Sequence, residues 1–273
     1  MKTALALAAA VALGAHAAPA AAFLPGPRRA FLPRLAGATS PGHVALTFDD
    51  GPAAESTPRF LQLLADHDVR ATFFLLGAEA RKAPALVREI AAAGHEIGVH
   101  GWDHRCLLRR SPRATHRDLE ATRDLLHRIT GTVPRWFRPP YGVFSTASLL
   151  SARRLGLTPI LWSTWGFDWT EGCTPASIHR RVTGGLGDGG TILLHDSDIT
   201  TGNGAWRATL GALPGLIADG RRRGLSFGSL DETAGPGTTA ARPKPPVRPR
   251  PRHAPGAPAG RAAATGSPAE RRG

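Results

Sequence analysis

The chain has 273 residues, 42% of them apolar, which is enough for one large domain with a genuine core. Its formal net charge of +13 invites an anionic partner. The placement of that charge weakens a nucleic-acid reading, which is not the leading one: eight Lys/Arg against one Glu fall in residues 234–273, and no basic stripe among aromatics runs through the rest.

Residues 1–22 carry the marks of a secretory signal. Lys2 supplies charge, Ala4 to Gly14 an apolar run, and small residues offer cleavage after Ala17 or Ala22. The run is too short and too alanine-rich to predict a membrane span. Export follows, to a secreted or cell-wall-associated location with no membrane contact once the signal is removed. Residues 23–42 are rich in Pro and Arg without a period and read as an N-terminal extension. In an exported protein the two cysteines, Cys106 and Cys173, invite a disulfide, with buried free thiols as the alternative.

From His43 onward, strand and helix patterns alternate. The predicted strands are His43–Phe48, Ala71–Leu75, Glu96–Val99, Trp136–Arg138, Leu157–Trp162, Thr191–Leu194 and Leu225–Phe227. Helical spacing runs through Thr57–Asp68, Pro84–Ala93, a long segment from Ser111 to Gly131, Thr146–Leu155, Pro175–Val182 and Ala205–Arg222. This alternation predicts an α/β fold with a parallel sheet, closed as a barrel one unit short of eight, or else open and doubly wound. After Thr233 the chain is Pro, Ala, Gly and Arg with almost no large apolar side chain, which predicts a disordered basic tail over residues 234–273.

Reactive side chains collect at the predicted strand ends, where such barrels carry their chemistry. The first strand ends in Asp49 and Asp50, the third in His100 to His104, the fourth in Arg138-Pro139-Pro140-Tyr141-Gly142, and the sixth in His195-Asp196. Asp168 and Trp169 follow the fifth. His100 and His104 have the spacing that lets two imidazoles of one helical turn face a single ion. With a carboxylate from the first strand they make an N2O donor set with an open position for water, as in many catalytic zinc sites. The other carboxylate is free to pair with Arg138 and handle protons, and His195 can protonate a leaving group.

These segments together (Thr47 to Gly51, His100-x-x-x-His104, Arg138 to Gly142, Asp168-Trp169 and Leu193-x-His195) resemble the polysaccharide deacetylases, carbohydrate esterases of family 4 that share the domain of nodulation-type chitooligosaccharide deacetylases. The resemblance covers residues 43–233, closely the whole predicted barrel. It implies a distorted (β/α)7 barrel and metal-dependent removal of acetyl groups from N-acetylglucosamine-containing glycans, chitin-like or peptidoglycan.

By the same resemblance, Asp49 is the general base. Asp50, His100 and His104 hold a divalent metal, zinc first and cobalt or another divalent ion after it. Arg138 orients Asp49, His195 is the acid and Asp168 tunes it. The Tyr141 N–H meets the oxyanion, and Trp169, Leu193 and Pro139 border the substrate. Gly101 departs from the Ser or Thr usual in the histidine motif, so the hydrogen bond ordering that loop is missing or replaced by a Cys106–Cys173 bridge. The competing readings are an O-deacetylase of acetylated xylan and an inactive module that binds cell-wall glycan. The partners expected are an N-acetylated glycan and, through the basic tail, an anionic wall polymer. No nucleic acid and no permanent oligomer are expected.

Overall fold

The structure is a computed structural model and describes residues 2–233, apart from 25, 27, 29–31, 33, 34 and 203. The chain divides into a unit spanning Met1–Thr239 and a second spanning Ala240–Gly273. The basic tail expected over 234–273 lies outside the described residues.

Eight parallel strands form one sheet: β1 (His43–Asp49), β2 (Thr72–Leu75), β3 (Glu96–Val99), β4 (Trp136–Phe137), β5 (Thr158–Pro159), β6 (Thr164–Trp165), β7 (Gly190–His195) and β8 (Ser226–Gly228). Their order is β5-β4-β3-β2-β1-β7-β6, with β8 paired to β1. Strand β1 is the axis of this arrangement. One edge carries β7 along residues 44–49; the other is shared by β8 at residues 43–45 and β2 at residues 47–49. Every residue of β1 after His43 is buried, as expected for a strand covered on both faces.

The predicted fifth strand, residues 157–162, is instead two short ones, β5 and β6. Hydrogen bonds explain the split. Ile160 N donates to Phe137 O at 2.9 Å, and Ser163 N donates to Thr191 O at 3.0 Å. The same segment therefore pairs with β4 at its start and with β7 beyond its end, so that one stretch of chain links the two ends of the curled sheet. Leu161 N, at the crossing, donates to Leu35 O at 2.9 Å. The extension is thus laid against the barrel, where Thr191 Oγ1 also donates to Gly37 O and Arg28 Nη2 to Trp162 O.

Helices cover the outside, with the apolar spacing read from the sequence. Thr57–Asp66 buries Phe60 and Leu64, and Phe60 meets Phe48 of β1 edge-on at 5.2 Å. Such a pair adds about 0.5–1.5 kcal/mol beyond the area it buries. The long helix Pro112–Thr130 starts on the Ser111 cap and stops at Gly131, whose φ of 75° suits glycine. The short helix Gly77–Lys82 was not anticipated.

At the N-terminus, Lys2–Ala17 is helical and Ala18–Phe23 forms a 3-10 turn. Residues 3–23 are long and apolar enough to cross a membrane by length and composition, which corrects the expectation of too short a run; a signal sequence has the same features.

Candidate active site

The two carboxylates of the first strand diverge because the backbone turns between them. Asp49 closes β1 in register with His195 of β7, whereas Asp50 has left the strand with a φ of 75°. Gly51 is required at the next position: a Cβ there would lie 2.7 Å from Asp196 Oδ1. Asp196 is itself fully buried beneath the turn, where it accepts a hydrogen bond from the Thr57 hydroxyl; burial pushes its carboxyl up to about 7.

Asp50, His100 and His104 converge. Their ligand atoms all lie within 4.8 Å of one another, with Asp50 Oδ1 3.2 Å from His100 Nε2 and 3.3 Å from His104 Nε2. His100 Nδ1 sits 2.9 Å from the Arg138 carbonyl, which takes up its N–H and leaves the Nε2 lone pair facing Asp50. Burial pulls His104 down to about 4, so its imidazole is neutral at pH 7. Asp50 Oδ1 is buried without a hydrogen-bond partner. Burial opposes ionisation of Asp50, but the positive charge of the neighbouring His195 helps hold the carboxyl low. Three lone-pair donors thus face one point with no proton among them, and a divalent cation fits that set. Thr200 Oγ1 fixes the other oxygen of Asp50 at 2.7 Å.

The His-x-x-x-His pair does not lie on a helical turn, as its spacing suggested. It spans a tight loop in which Gly101 has φ 86° and His104 φ 56°. Two supports hold that loop. Gly101 O and Trp102 O accept from the N–H groups of Gly77 and Ala78, at the start of the unanticipated short helix. Trp102 N donates at 3.0 Å to Asp118 of the long helix, whose other oxygen meets Arg110. Asp118 therefore supplies the ordering bond that Gly101 cannot. Of the two readings left open for the cysteines, the structure has the free thiols: Cys106 and Cys173 form no bridge, and Cys173 Sγ hydrogen-bonds to Asp168 O.

Arg138 is completely buried behind Asp49. Its Nη1 donates to Asp49 Oδ1 at 2.7 Å and to Thr47 Oγ1 at 2.8 Å, its Nη2 to Leu161 O, and its guanidinium lies 4.1 Å from the Phe74 ring centre. Burial lowers the Arg138 pKa and Asp49 opposes that pull. Removing either partner would strand a buried charge.

Across the site, Asp168 grips His195 twice: Oδ2 accepts from His195 N at 2.7 Å, and Oδ1 lies 2.9 Å from Nδ1. Thr209 Oγ1 steadies Asp168 at 2.8 Å. Burial would depress the imidazole, but the Asp168 charge and hydrogen bond, reinforced by Asp50 and Asp49, raise His195 to about 10. It is an imidazolium at neutral pH.

These groups meet in one cavity of about 330 Å³, lined by Asp49, Asp50, His100, His104 and His195 on its polar side and by Tyr141, Trp162, Trp165, Trp169, Leu193 and Phe23 on its apolar side. Tyr141 is left-handed, φ 61°, and stacks 4.5 Å from His104. Arg138, Asp168 and Pro139 stand behind the wall; Pro139 is buried in the turn between Arg138 and Tyr141. Thr200, Thr209 and Asp118 were missed by sequence reasoning. Each acts through a hydrogen bond to a partner distant in sequence, and no local motif marks it.

Comparison with known proteins agrees with this geometry. Residues 36–160 match the family described as polysaccharide deacetylase. A peptidoglycan-N-acetylglucosamine deacetylase of Bacillus cereus is 35% identical over 72% of this chain and 70% of its own length. A chitooligosaccharide deacetylase of Sinorhizobium fredii is 35% identical over 69% of this chain and 90% of its own. The crystal structure of the Bc1960 peptidoglycan N-acetylglucosamine deacetylase superposes with a TM-score of 0.68 at 34% identity, covering 73% of this chain and 91% of that one.

Proposed function

The chain belongs to the polysaccharide deacetylase family and is a hydrolase of the N-acetyl groups of N-acetylglucosamine-containing glycans; from that premise we propose how its residues divide the work. Asp50, His100 and His104 hold a divalent cation, zinc in first place, which supplies Lewis acidity toward the amide carbonyl and brings the pKa of a water to about 7.

Asp49 takes a proton from the attacking water. Arg138 keeps that carboxylate aimed, through the 2.7 Å contact that leaves its second oxygen toward His100. The Tyr141 N–H donates to the carbonyl oxygen as it gains charge. His195, held in one orientation by Asp168, gives its Nε2 proton to the departing nitrogen, which would otherwise leave as an unstable amide anion. The C–N bond breaks, and acetate and a free amine result. Trp169 and Leu193 flank the acetyl methyl.

What carries the reading is one juxtaposition: an orphaned Asp50 oxygen facing two imidazole nitrogens, beside an Asp49 held by a buried arginine. The test is acetate release from chitooligosaccharides, peptidoglycan and acetylated xylan, with and without thorough chelation. We expect release from the N-acetylated glycans, lost on chelation and restored by zinc or cobalt. Release untouched by chelation would sink the metal role, and release from xylan alone would move the enzyme to the O-deacetylases. We further infer that the N-terminal apolar helix directs export, in keeping with a substrate outside the cell.

A further inference from the structure

A second cleft, of about 1080 Å³, adjoins the catalytic cavity and shares His104, Tyr141 and Thr200 with it. Because the two spaces meet at those residues, a glycan with one acetyl group in the catalytic cavity can lay its neighbouring residue along this cleft. The two spaces differ in chemistry. Aromatic rings wall the first, whereas Arg105, Arg109 and Arg110 border the second, where Tyr141 is the sole aromatic among the lining residues.

The charge balance of the cleft is positive. Its two carboxylates are already matched: Asp103 by Arg110 and by Arg105 at 3.3 Å, Glu79 by Lys82 at 2.8 Å. Arg110 is spent on Asp103 and Asp118. Arg109 is exposed and, among the described residues, has no ion pair or side-chain hydrogen bond. The helix that begins at Pro112 beside it has no acidic residue in its first turn. A neutral sugar offers an uncommitted guanidinium only single hydroxyl or carbonyl acceptors, while a carboxylate matches both its charge and its paired N–H groups.

We propose that this arginine-bordered cleft binds a carboxylate carried by the glycan next to the sugar being deacetylated, so that the preferred substrate is an anionic N-acetylated polymer of the peptidoglycan kind and not neutral chitin. The inference rests on the deacetylase reading above. Arg109 makes the main contact and Arg105 adds to it.

The test uses the full chain with zinc and two soluble substrates: tetra-N-acetylchitotetraose, which is neutral, and a peptidoglycan tetrasaccharide bearing free lactyl carboxylates. Wild-type protein should show the higher kcat/KM on the anionic tetrasaccharide, and added salt should erode that preference. Arg109→Gln should raise KM for the anionic substrate about threefold, the size of one exposed ion pair. Pairing it with Arg105→Gln should raise KM roughly tenfold. Both variants should keep kcat, and should stay within about twofold of wild type on chitotetraose, which also reports that they are folded. Equal losses on both substrates, or no loss on either, would overturn the proposal. Acetate release from neither substrate by the wild type would instead overturn the deacetylase reading, and this inference with it.

Discussion

Glu96 opens β3 and His100 follows its last residue, so one short strand carries an ionisable side chain at each end of the barrel. At the base, Glu96 accepts from the Thr72 hydroxyl and from Trp136 Nε1, and among the described residues no cation pairs with it. Burial, and then the charge of Asp231, push it up to about 8. At the opposite rim, burial acts on Asp49 and Asp50 as well, but Arg138 pairs with the first and two imidazoles face the second. Burial alone makes a neutral acid that ties strands together. Burial beside cations and lone pairs makes a site, and this separation of stability from chemistry follows the general polarity of such barrels.

The comparison breaks hardest at the rim. His100→Ala should abolish stoichiometric zinc binding and lower turnover by roughly 10³-fold, the several kcal/mol a Lewis acid contributes. Metal analysis of the purified variant checks the first part and acetate release the second. His195→Ala should retain metal and lose about 10²–10⁴-fold in kcat.

Asp168→Asn tests why His195 is a strong base. Turnover needs the imidazolium, so activity falls as pH rises through the His195 pKa, near 10 in the intact protein. Without the Asp168 charge that alkaline limb should move to lower pH by about one unit or more. An unmoved limb in the pH–kcat profile would assign it to another group.

One step behind the ligands, Asp118→Ala should weaken zinc retention about 10-fold in a chelator competition by loosening the Trp102 loop.

The smallest effect belongs to the base. A carboxyl raised in the folded state binds more protons there than when unfolded, so it makes stability decline as pH rises from its ordinary value of 4.5 toward 8. Glu96→Gln removes that proton difference. It should flatten the decline in a denaturant titration across that window, change stability by only about 1 kcal/mol at or below pH 4.5 where both side chains are neutral, and leave kcat alone.

Much of the rim was legible in the sequence because its reactive residues sit directly at strand ends, where alternation and turn residues mark them: Asp49-Asp50-Gly51, Arg138-Pro139, His195. The strand starts and the long helix with its Ser111 and Gly131 ends were legible for the same local reasons. What escaped was set by distant contacts. The splitting of the fifth strand depends on Ile160 and Ser163 bonding to different neighbours, and the geometry of His100 and His104 depends on Gly77, Ala78 and Asp118. The choice between a cysteine bridge and free thiols stayed open in the sequence because pairing by count carries no spatial information.

The division of labour between the two adjacent aspartates is the central claim, and Asp49→Asn tests it most directly. Zinc content and acetate release should be measured on the same preparation. The account predicts one zinc per chain with turnover abolished, since the proton acceptor is gone while Asp50, His100 and His104 remain. Loss of zinc from that variant would contradict it and exchange the roles of the two carboxylates.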